Sequence, residues 1–119
     1  MALSVTEHEG IRIVEGPLDA PLMRVPQDAT LLLEACFSAG SRSVLLHPDN
    51  VTPRFFDLSS GEAGEVLDKV RRYRVRLALV CPPGRVRFSS RFAEACADDL
   101  QAFSSREDAC RWLASRDSP

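Results

Sequence analysis

The sequence predicts an α/β domain: a mainly parallel sheet, opened by an antiparallel hairpin and covered by a single layer of helices. Two patterns carry that expectation. Short β-type apolar runs alternate with stretches of helical period after the first fifteen residues, and a Glu9-Gly10 turn signal separates two strand-like runs before them. The 119 residues, 45% hydrophobic and 27% charged, suffice for one core and not for two. No repeat, low-complexity tract or linker divides residues 1–119, and the core is expected between about residues 3 and 114.

Leu3 to Thr6 and Ile11 to Val14 read as the hairpin strands around Glu9-Gly10. Pro17, Pro21 and Pro26 exclude regular helix from the next stretch. From Asp28, the spacing of Ala29, Leu32, Leu33, Cys36 and Phe37 predicts a helix with these residues inward, stopped by Gly40. Ser43 to Leu46 is a short strand, and His47-Pro48-Asp49-Asn50 a loop by composition.

A second helix is expected from Ser59, where Ser59 and Glu62 have capping-box spacing. Its inner face carries Ala63, Val66, Leu67 and Val70, and Arg71 and Arg72 suit its negative pole. Val75 to Val80 is nearly continuous in apolar residues, as in a strand covered on both faces, and Cys81-Pro82-Pro83-Gly84 ends it. A third helix is expected near 89–98, with Phe92, Ala95 and Cys96 together, and Leu100 to Phe103 is a strand. Ser104 with Glu107 then opens a last helix with Ala109, Trp112 and Leu113 on one face. The order is ββαβαβαβα, which implies right-handed crossovers.

Composition narrows the function. A formal net charge of −2 argues against a dedicated nucleic-acid binder. Cys36, Cys81, Cys96 and Cys110 lie far apart without a C-x-x-C pair, so no metal site is expected and they read as reduced core residues. Neither a secretory leader nor a membrane-length apolar run is present, so a soluble, cytoplasmic protein without a membrane partner is expected.

Phe55-Phe56-Asp57-Leu58, Gly61, Ala63-Gly64-Glu65, Leu67, Lys69 and Tyr73, followed by the apolar strand, resemble a bacterial family termed domain of unknown function 4180. The resemblance runs from about Ala29 to Leu113. Ser59-Ser60 stands where that family usually has Lys-Thr, Asp68 where it has Gln, and Cys81-Pro82 where it has Gly-Asp. No role of that Gly-Asp pair is carried over. More distantly, the element order is similar to STAS domains of anti-sigma-factor antagonists and sulphate transporters. Their regulatory serine sits in a D-S-S-G-like turn at a helix start, much like Asp57-Leu58-Ser59-Ser60-Gly61, with Leu58 shifting the spacing by one. This resemblance implies a non-catalytic regulatory domain with a protein partner and no cofactor.

Ser59 and Ser60 are therefore candidate phosphorylation sites, although capping alone accounts for Ser59. Ligands of parallel sheets bind outside the carboxyl ends of the strands. His47, Asp49, Asn50, Asp57, Gly61, Cys81 and Arg85 should converge there, as a small-ligand or anion site if not a protein-contact surface. A third reading is a cysteine hydrolase using Cys81 and His47, with Asp49 available to orient the imidazole. Arg71, Arg72, Arg74 and Arg76, with Arg85, Arg87 and Arg91, read as a solvated, salt-paired face rather than a nucleic-acid groove, because Glu62, Glu65 and Asp68 share the helix of the first two and interleaved aromatics are lacking. The hairpin edge leaves a homodimer open.

Overall fold

The computed structural model describes residues 3–17, 22, 28–51, 62–81 and 100–116. The hairpin strands are β1 (Ser4–His8) and β2 (Ile11–Glu15), joined through a His8–Ile11 pair by Glu9 and Gly10 alone. Both turn residues have positive φ, 49° and 87°, which matches the right-handed twist of the flanking strands. α1 (Ala29–Ala39), β3 (Ser43–Leu46), α2 (Glu62–Arg72), β4 (Arg76–Val80), β5 (Leu100–Phe103) and α3 (Arg106–Arg116) follow. The five strands lie in chain order, β1 antiparallel to β2 and the others parallel. The sheet is thus mixed and mainly parallel, as the hydrophobic pattern implied. The expected helix near 89–98, and Ser59 and Ser60 at the expected start of the second helix, lie outside the described residues.

The expectation of one helix layer is corrected. Alternate residues of β2, β3 and β4 feed two separate cores. Val14, Val44, Leu46, Leu77 and Leu79 pack beneath α1 and α2, with Leu32, Cys36, Val66 and Val70. Ile13, Leu45, Ala78 and Val80 pack beneath α3, with Ala109, Cys110 and Leu113. β3 and β4 are apolar at successive positions because both their faces are covered.

Two further expectations shift. Phe37 is 61% exposed, since the inward residues of α1 are Ala29, Leu32, Leu33 and Cys36. The cap of α3 is Ser105, not Ser104: Ser105 Oγ accepts the Asp108 N–H at 3.2 Å, while Glu107 turns outward to Arg111. α1 closes at Gly40 (φ 67°), with Ser41 N–H donating to Cys36 O at 2.9 Å. α2 closes the same way at Arg74 (φ 57°), with Val75 N–H donating to Val70 O at 2.9 Å.

Candidate functional site

The carboxyl ends of the parallel strands carry a buried polar cluster on the α3 side. Glu15 ends β2 in the inward register of Ile13, so its carboxylate enters the face that α3 covers. Arg106, the first residue of α3, meets it bidentately: Nε donates to Oε2 at 2.9 Å and Nη2 to Oε1 at 2.8 Å. His47 follows β3 and is 3% exposed; its Nε2 lies 2.7 Å from Glu15 Oε2. An ionised carboxylate only accepts, so this nitrogen carries the proton.

A second set of bonds fixes the loop beneath the imidazole. Asn50, fully buried on the turn Pro48–Asn50, accepts the His47 backbone N–H through Oδ1 at 2.7 Å. Its Nδ2 donates to Pro17 O at 2.7 Å. Gly16 makes the approach possible, since a Cβ there would run into the Asn50 amide, 2.9 Å from Cγ. Gly16 N–H in turn donates to Leu45 O at 3.0 Å and holds this connection to the sheet.

Electrostatics follow from the geometry. The hydrogen bonds from Arg106 hold the Glu15 carboxyl below its ordinary range, aided by His47 and opposed by burial. Arg106 is raised in turn, chiefly by its bonds to Glu15. Its side chain remains 47% exposed while that of Glu15 is 11% exposed, so the guanidinium joins a buried anion to water. Cys110, one turn further along α3, has a thiol pushed up by burial.

The structure brings only part of the sequence-derived set together. His47 and Asn50 lie just past the carboxyl end of β3, with Asp49 between them on the same turn. Asp57, Ser59, Ser60, Gly61 and Arg85 lie outside the described residues. Cys81, just past β4, belongs to the core under α1 and α2, whereas the imidazole of His47 is turned to Glu15. Among the described residues no His, Cys, Asp or Glu group of metal-holding kind occurs, and no helix is long and apolar enough to cross a membrane.

Sequence reasoning missed Glu15 and Arg106. The signals were a carboxylate in the same alternation as Ile11 and Ile13, and a cation in a helix first turn, where acidic residues are favoured.

Comparison with known proteins adds one positive finding. No curated protein matches the sequence. The family model described as Domain of unknown function (DUF4180) matches residues 8–113, which takes in the hairpin turn, the Glu15–His47–Arg106 cluster and most of α3. The chain therefore belongs to the DUF4180 family.

Proposed function

We propose that this protein is a non-catalytic binding domain that receives a small anionic ligand, a carboxylate or phosphate, at the carboxyl ends of its parallel strands. The observation that carries the reading is the half-exposed Arg106 side chain, its guanidinium locked bidentately on a buried carboxylate. Buried ion pairs are seldom more stabilising than apolar packing of equal volume, so fold stability alone is a weak reason for Glu15 to sit here. Orienting a guanidinium is a better one. Glu15 occupies two of the five N–H donors of Arg106, and the start of α3 adds backbone N–H groups and a positive dipole end.

The sequence also raised a STAS-like regulatory reading, switched at Ser59 or Ser60 and working through a protein partner. It draws on the same edge, but its serines lie outside the described residues, so the ligand reading has the stronger geometric support.

Titration of the isotope-labelled protein with inorganic phosphate and with acetate tests it. The Arg106 Nε–H signal and the Gly16 amide are expected to shift and saturate in the millimolar range with at least one anion, and not in Arg106→Ala. Unmoved signals at about 10 mM of both anions would sink the reading.

A further inference from the structure

The opposite end of the molecule, at the amino ends of the parallel strands, gathers cations around two exposed rings. Arg42 precedes β3 and Arg76 opens β4, with Arg76 N–H donating to Arg42 O at 2.8 Å. α2 runs out beside them in Arg71-Arg72-Tyr73-Arg74. From α1, Phe37 meets Tyr73 edge-on, ring centres 5.7 Å apart at 77°. Phe37 is 61% and Tyr73 45% exposed, so the aromatics found missing from the linear sequence are supplied by the fold. Arg42, Arg72 and Arg74 are exposed and have no ion-pair partner among the described residues.

Two more observations point the same way. The carbonyls ending α1 and α2, which would repel an anion, are partly closed by N–H groups of Gly40, Ser41, Arg74 and Val75, and by Arg12 Nη1 donating to Ala39 O at 2.9 Å. Arg74 also holds a left-handed φ of 57°, at the place where α1 uses Gly40. A left-handed backbone is costlier for a residue with a Cβ than for glycine, and its use here directs attention to the side chain. Among the described residues, carboxylates at this end by position include Glu7, paired across the hairpin with Arg12, Glu9 in the hairpin turn, Glu34, one turn before Phe37, and Asp68, one turn before Arg72.

We propose that this end binds single-stranded nucleic acid, with guanidinium groups on successive phosphates and the Phe37 and Tyr73 rings stacking on bases. Arginine matches phosphate oxygens bidentately, and exposed rings stack only on bases freed from a duplex. The net charge of −2, which argues against a protein dedicated to nucleic acid, weighs little on a local patch, because at about 0.1 M salt a charge is felt over only about 10 Å. The proposal is independent of the ligand site at the other edge.

Fluorescence anisotropy with a labelled oligothymidylate of about twelve nucleotides, at about 50 mM salt, tests it. Binding is expected to weaken steeply with salt, the log–log slope falling by about 0.7 for each arginine removed in Arg42→Ala or Arg72→Ala. Tyr73→Ala or Phe37→Ala is expected to weaken binding roughly 5- to 100-fold. Arg74→Gly separates binding from folding, since it should raise the melting temperature while lowering affinity. Absent binding by the wild type, affinity unchanged in Arg74→Gly and Tyr73→Ala, or equal affinity for duplex would each overturn the proposal. So would binding to phosphatidylserine vesicles without binding to the oligonucleotide, which would assign the surface to a membrane.

Discussion

Glu15 shows how one side chain can be decided by partners far away in sequence. Arg106 lies 91 residues downstream and His47 32, so no local pattern joins the three. What was legible was the polar character of the His47–Asn50 turn and its place after β3. What was not legible was that the alternation beginning at Ile11 carries a carboxylate inward. Its consequence is measurable as pH dependence. The folded state lowers the Glu15 pKa below the ordinary value of 4.5. The carboxylate therefore adds stability that is complete above that ordinary value and is lost as the pH falls through the lowered one. Urea unfolding of wild type and Glu15→Gln from about pH 6 to about pH 3 should show a shallower acid loss in the variant. Parallel curves would show that Glu15 contributes no such linkage.

At the scale of elements, the strands were the most legible part. β3 and β5 begin and end where the apolar runs did, and the hairpin turns at Glu9-Gly10 as its residues required. The helix ends were less so, because adjacent serines offer two frames. Ser104 with Glu107 fits a capping box on paper, yet the packing of Ala109, Cys110 and Leu113 sets the rotation of α3 and makes Ser105 the cap. That rotation also puts Arg106 over Glu15. Ser105→Ala should accordingly cost about 1 kcal/mol of unfolding free energy, and Ser104→Ala less than about 0.5 kcal/mol. Equal losses in the two variants would mean that the cap assignment fails. Phe37 misled for a related reason: it continues the helical spacing into the last turn of α1, where Cys36 faces the core and the ring meets Tyr73 instead.

For the whole molecule, the continuous apolar runs of β3 and β4 already implied cover on both faces, which a single helix layer cannot provide. The second layer is α3. Leu113, fully buried, anchors it against Ile13 and Leu45. Leu113→Ala should cost about 2–5 kcal/mol, the range for emptying a core leucine site. A loss under about 0.5 kcal/mol, typical of surface positions, would remove α3 from the core. The two ends of the parallel strands also differ in chemistry. A neutralised acid–base cluster lies at one rim of the sheet, and the arginines with their exposed rings lie at the other.

The clasp between Glu15 and Arg106 also bears on the order in which the protein folds. Its partners stand 91 residues apart, so the contact closes a long loop and comes late, with the docking of α3 on Ile13 and Leu45. Before that step the acid is unneutralised beside bare apolar surface, a species prone to association. Docking of one helix thereby covers the oily face and balances the charge in a single event.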